Sequence, residues 1–137
     1  MKPNPIPFLL STFYFLLLLG CASAPHPVTP AEIRIAVKSR LVQTLRDYPD
    51  AEPYLEWSAR AIRSVVAGES VTGLSPVSIQ IAIDQSLARD NWTLQAALSL
   101  HDVLGYYDRA YDAKDPTRNR ALLMAIAEGI TAARQFR

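Results

Sequence analysis

The chain of 137 residues holds one cysteine, two histidines and almost no net charge, and each scarcity excludes something. A single cysteine closes no internal disulfide, and with two histidines at unrelated spacings it builds none of the common zinc sites. Fourteen Lys and Arg against thirteen Asp and Glu give a formal charge of +1. The basic residues are scattered, so there is no field for nucleic acid and no acidic tail. Long hydrophobic runs are also lacking. The one uncharged apolar block, Phe8 to Leu19, is short of the roughly 20 residues that a membrane-spanning helix needs.

What is present begins with that block. It has the length of a secretory h-region, about 7 to 15 residues, and follows a short segment carrying Lys2 and the chain amine. Pro3, Pro5 and Pro7 are unusual company for such a segment. Directly after the block stands Leu18-Leu19-Gly20-Cys21, with a small residue before the only cysteine of the chain. This quartet resembles the lipobox of bacterial lipoproteins, with Leu19 a less common occupant of its position than Ala or Ser. The resemblance covers residues 1 to 21. It implies cleavage between Gly20 and Cys21, a diacylglyceryl group on the Cys21 thiol and an N-acyl chain on the new amine. Such chains contribute about 0.8 kcal/mol per buried methylene, and two or more anchor a protein without spanning the bilayer. Ala22 replaces the Asp that retains enterobacterial lipoproteins on the inner membrane, which favours the outer membrane. Loss of residues 1–20 leaves thirteen basic and thirteen acidic groups.

Residues 21–28, Cys21 to Val28, contain small residues and prolines without periodicity and are expected to form a flexible tether. In extended polyproline geometry, at about 3.1 Å per residue, the tether holds the domain roughly 25 Å from the membrane. His26 sits in it as a solvated residue. The domain itself spans 29–137. A capping residue followed by proline occurs three times, at Thr29-Pro30, Ser75-Pro76 and Asp115-Pro116, and each predicts a helix start. Glu32 completes a capping box with Thr29.

Helix one then places Ile33, Val37, Leu41 and Leu45 at steps of four, with Val42 widening the stripe, and ends near Tyr48. Helix two opens between Asp50 and Pro53, buries Leu55, Ala59, Ile62 and Val66, leaves Glu56, Arg60 and Arg63 outside, and stops at Gly68. Trp57 is off its stripe. Helix three runs from Pro76 towards Arg89 with Ile79, Ala82, Ile83 and Leu87 inward. The alternation over Val77–Ile83 also fits a strand, although one strand alone has no partner. Asp90-Asn91 caps helix four, whose expected inner face is Leu94, Ala97, Leu98, His101, Leu104 and Tyr111. Leu122, Leu123, Ile126, Ala127, Ile130 and Ala133 make the stripe of the last helix, with Glu128, Thr131 and Gln135 opposite. The expectation is an all-α domain, an antiparallel bundle of about five helices.

Few residues point to chemistry. His101-Asp102 resembles part of the metal site of metal-dependent phosphohydrolases, which needs further histidines that this domain lacks, so His101 is expected to be a partly buried, locally bonded helix residue. Asp108, Asp112 and Asp115, with Asn119 following, lack the spacing and loop glycine of a calcium loop. They are expected to form a solvated helix end partnered by Arg109, Arg118 and Arg120. Tyr106, Tyr107 and Tyr111, with Trp92 upstream, read first as core packing. Three tyrosines this close cannot all face inward from one helix, so at least one is expected to be exposed, and the group makes the one candidate contact surface. No serine has a nucleophile setting. These residues predict no catalytic set, no metal, no cofactor beyond the lipid on Cys21, no nucleic-acid partner and no evident small-molecule substrate. The function expected is that of a lipoprotein anchored in a bacterial envelope, facing the periplasm and touching another envelope protein. Alternatives are a small periplasmic enzyme or inhibitor using Asp102 and Asp108, or an uncleaved signal-anchored protein with Cys21 unmodified.

Overall fold

The first helix begins where a hydroxyl, a proline and a carboxylate stand at the right spacing. In the computed structural model, which describes residues 27–68, 73–86 and 94–136, helix α1 spans Pro30–Asp47. The Thr29 hydroxyl accepts from the Glu32 N–H at 3.2 Å, and the Glu32 carboxylate accepts from the Thr29 N–H at 2.9 Å. Both bonds satisfy donors that a helix start otherwise leaves orphaned, and Pro30 at the first position removes another. Ahead of Pro49 the helix ends at Tyr48, and one 3-10 turn, Pro49–Ala51, leads into α2, Glu52–Val66. Gly68 follows with φ at 76°, a left-handed conformation that glycine adopts without a Cβ clash.

Helices α3 (Pro76–Ser86) and α5 (Pro116–Gln135) repeat the cap-then-proline start. Ser75 Oγ accepts from the Ser78 N–H at 3.2 Å, and Asp115 Oδ1 from the Arg118 N–H at 3.1 Å. Between them lies α4, Leu94–Ala110. The described residues form five α-helices and no strand, so the chain is an all-α bundle and Val77–Ile83 belongs to a helix. Residues 1–20, Cys21, Leu87, the Asp90-Asn91 cap and Trp92 lie outside the described residues.

The inner faces of four helices are those that periodicity predicts. Ile33, Val37, Leu41 and Leu45 are buried on α1, Ile79, Ala82 and Ile83 on α3, and all six expected residues on α5. Helix α2 buries Leu55, Ala59 and Ile62, adds Tyr54, Ser58, Ala61 and Val65, and leaves Val66 half-buried. Each fully buried Leu or Ile contributes about 1.5–3 kcal/mol relative to exposure. Among the described residues every buried side-chain nitrogen and oxygen has a hydrogen-bond partner.

Helix α4 departs from expectation. Of the expected face, Ala97, Leu104 and Tyr111 pack partly against the core, but the buried residues are Ala96, Ser99, Leu100, Val103 and Tyr107, whereas Leu94 and Leu98 are each 56 % exposed and His101 is exposed. Both faces of α4 carry apolar residues, and the face turned inward is the one whose polar groups find partners. The Ser99 hydroxyl meets the Thr44 hydroxyl at 3.0 Å, the Tyr107 hydroxyl donates to the Leu74 carbonyl, and Asp102 meets Arg40 at 2.6 Å. All three require the face centred on Leu100 and Val103.

The helix directions are those of the expected antiparallel bundle. Helix α2 runs against α5, with Glu52 beside Arg134 at 3.2 Å and Arg63 donating to Thr131 at 2.6 Å. Helix α4 runs against α1, as Arg40–Asp102 and Thr44–Ser99 show. The most extensive contact, α1 with α5, is instead parallel: Arg34 lies 3.5 Å from Glu128, and the Lys38 ammonium 3.7 Å from the Phe136 ring centroid. Alternating direction at each short connection makes the first and fifth helices co-directional. They meet at Gly129, where a Cβ would fall 2.8 Å from Val37 Cβ and 2.9 Å from the Arg34 carbonyl oxygen.

Gly129→Ala is expected to lower the unfolding free energy by up to roughly 2 kcal/mol. Overpacking costs about 1–3 kcal/mol against a backbone oxygen that cannot retreat, and removing a helical glycine returns only about 1 kcal/mol. Gly105→Ala, whose new methyl would meet only the end of the Arg109 side chain at 3.4 Å, should gain roughly 0.5–1 kcal/mol. Urea titrations of the two variants followed by circular dichroism should shift in opposite directions.

Candidate functional site

Helix α4 and the turn after it carry the side chains that the sequence marks out, and the structure separates them. Tyr107 points inward: it is buried, its hydroxyl donates to the Leu74 carbonyl, and its ring lies 5.7 Å from that of Tyr111 at a tilt of 59°. It is therefore withdrawn from the candidate contact surface, because its hydroxyl and ring are committed to the core. Tyr106 and Tyr111 are half-buried, and the Arg109 guanidinium lies 5.3 Å from the Tyr106 ring centroid. Trp92 lies outside the described residues. Burial, with the neighbouring Tyr111 as a smaller contribution, pushes the Tyr107 phenol above its ordinary value of 10.0.

His101 is exposed, not partly buried, because α4 turns its Leu100 face inward. It lines a shallow groove of about 370 Å³ together with Arg40, Asp102, Gly105, Tyr106 and Arg109. The Asp102 carboxylate there is held by Arg40, and both side chains are about half exposed, so the pair contributes at most about 1 kcal/mol.

The acidic cluster is a turn. Buried Asn119 donates from Nδ2 to the Asp112 carbonyl at 2.7 Å, and its Oδ1 accepts from the Asp112 N–H at 3.2 Å. Asp112 Oδ1 accepts from the Lys114 N–H at 3.0 Å, and Asp115 caps α5. Arg118 does not partner the acids as expected. It donates to the Ala110 carbonyl at 2.7 Å, closing the end of α4, and to the Val28 carbonyl at 3.4 Å. Asp108 is exposed. Among the described residues no group of three or more His, Cys, Asp or Glu side chains is placed to hold a metal ion.

A larger concavity, about 560 Å³, lies elsewhere and carries no motif. Helix α5 supplies its middle through Glu128, Thr131, Ala132 and Gln135; Arg34, Ile35 and Lys38 of α1 form one side, and Arg63 of α2 the other. In the sequence these cations look like solvated positions on separate helices. They share a groove only because α1 and α2 pack on either side of α5.

No family model matches the chain, and no curated protein or solved structure does so either. What the protein does is therefore to be read from its own residues.

The raised Tyr107 value has a consequence at alkaline pH. The unfolded phenol loses its proton near 10 and the folded one only above that, so this stabilisation is complete below about pH 10 and is lost as pH rises further. Tyr54, raised by burial and then by Asp84, acts in the same sense. The urea midpoint should fall between about pH 10 and 12, and less steeply in Tyr107→Phe. At neutral pH that variant should be about 1 kcal/mol less stable for want of the bond to Leu74.

Proposed function

We propose that the protein is a lipoprotein of a bacterial envelope, held by acyl chains on Cys21, whose helical domain acts by contact with another envelope protein and not by catalysis. The observation that carries this reading is the position of the only cysteine, directly after Gly20 at the end of an uncharged apolar block and directly before a proline-rich tether.

The fold is consistent with that use. The tether leads into α1 at the end of the bundle where Arg118 reaches Val28 and α4 closes. At the opposite end Tyr48, Leu94 and Phe136 are exposed, 44, 56 and 60 % respectively. A domain tethered at the first end turns these apolar side chains away from its anchor. Among the described residues no helix is long and apolar enough to cross a membrane. Ala22 favours the outer membrane as the site of anchoring.

The test is the intact mass and membrane partition of the full chain expressed in a Gram-negative host, beside Cys21→Ser. The wild type should begin at Cys21, carry a diacylglyceryl group with an added N-acyl chain, and sediment with membranes; the variant should lose both the added mass and the attachment. Retention of residues 1–20 in both proteins, with an unmodified thiol in the wild type, would refute the lipid anchor.

A further inference from the structure

We propose that the groove over α5 is a docking site for an acidic, extended segment of the partner protein, with carboxylates flanking an apolar residue. The inference deepens the contact role above and rests on it, but not on the anchor.

Charge is the first argument. Arg34, Lys38 and Arg63 converge on the groove from two helices, against Glu128 as its single acid. Glu128 is engaged by Arg34 at 3.5 Å. Lys38 and Arg63 are paired with no carboxylate among the described residues: the Lys38 ammonium lies over the Phe136 ring, and the Arg63 guanidinium donates to the Thr131 hydroxyl and, at 3.4 Å, to the Ala127 carbonyl. In a chain balanced between its signs, a recess with two uncompensated cations is an uneven use of charge. It attracts anions, most strongly at low salt.

Shape and lining narrow the class of anion. From Glu128 to Gln135 the helix rises about 10 Å. That is the length of about three residues of extended chain at 3.3 Å each, whose side chains alternate in direction. Small Ala132 leaves the middle of the groove open, and the Gln135 amide offers both a donor and an acceptor to a peptide backbone. Ile35, 62 % exposed, gives an incoming apolar side chain surface to cover. The groove is shallow and short, and its cations come from the helices on either side of α5. That footprint suits a short acidic chain segment better than the extended plane of phosphates of a bilayer.

The test is fluorescence anisotropy of a dye-labelled peptide of Glu-Glu-Leu repeats, titrated with the full chain in non-ionic detergent. Binding is expected, weakening with salt, and each of Lys38→Gln and Arg63→Gln should weaken it about fivefold, the value of a half-exposed ion pair. Arg40→Gln, which lies on the side of α1 facing α4, should leave it unchanged, and a Lys-Lys-Leu peptide should not bind. Arg63 also ties α2 to α5, so its variant is to be compared with wild type by circular dichroism. Lys38→Gln removes a charge without a buried bond and decides the matter alone. Equal affinity in wild type and Lys38→Gln, or no binding of the acidic peptide, would overturn the proposal. So would capture of phosphatidylglycerol vesicles through Lys38 and Arg63 with no binding of the peptide. An acylated Cys21 with no peptide binding leaves the anchor standing and removes this partner class; peptide binding with an unmodified Cys21 does the reverse.

Discussion

The approach of α1 to α5 at Gly129 is the constraint from which the remaining arrangement follows. Val37 Cβ and the Arg34 carbonyl oxygen occupy the space that any other residue at position 129 would need. Ala125 and Ala133, one turn to either side on the same row of α5, are buried and nearly as small. A row of small residues at steps of four lets two backbones close on each other, with Val37 seated directly against Gly129 and with Ile126, Ile130 and Leu41 buried in the same core. Were the seam wider, Arg34 would lose Glu128 and Lys38 would lose Phe136. The close parallel pairing of first and last helix is thus a packing solution that glycine at that turn permits without strain.

With α5 fixed along α1, the other helices are located by bonds at their ends. Arg134 reaches both Glu52 and Glu56, at 3.2 and 3.1 Å, and sets the start of α2 beside the end of α5. At the opposite end Asn119 holds the backbone of Asp112, and Arg118 holds the last carbonyl of α4. These groups close the turn between α4 and α5. The face that α4 turns inward is the one on which Ser99 meets Thr44 and Tyr107 meets the Leu74 carbonyl, and it leaves Leu94, Leu98 and His101 exposed.

This division explains what was legible in the sequence. Caps and stripes are local, so Thr29 with Glu32, Asp115 before Pro116, and the buried rows of α1 and α5 could be read directly. The face of α4 could not, because Ser99, Asp102 and Tyr107 take their partners from Thr44, Arg40 and Leu74, at sequence distances of 33 to 62 residues. An apolar count ranks Leu98 above Ser99 and so turns the helix the wrong way. Tyr107 is indistinguishable in the sequence from its neighbours Tyr106 and Tyr111 for the same reason: only the Leu74 carbonyl singles it out. The groove cations were invisible, since Arg34, Lys38 and Arg63 acquire a common purpose only when α1 and α2 are seen to flank α5.

A short tether and a weak, charged groove suit one another on the proposed reading. Half-exposed charges give each pair at most about 1 kcal/mol, and a three-residue segment buries little area, so such a contact in free solution would be transient. Acyl chains change the arithmetic without adding a contact. A domain held about 25 Å from the bilayer by residues 21–28 samples a thin layer of the envelope, and a partner confined to the same layer meets it at an effective concentration set by that reach. Avidity gained this way multiplies a modest affinity by orders of magnitude, provided that both sites can be engaged at once. The geometry allows it: the chain enters α1 at Thr29, while the groove cations begin one turn further along the same helix and open to its side. On the proposed reading, partner and membrane can then be held together, and the anchor raises the occupancy of a groove that already binds an acidic segment modestly by itself.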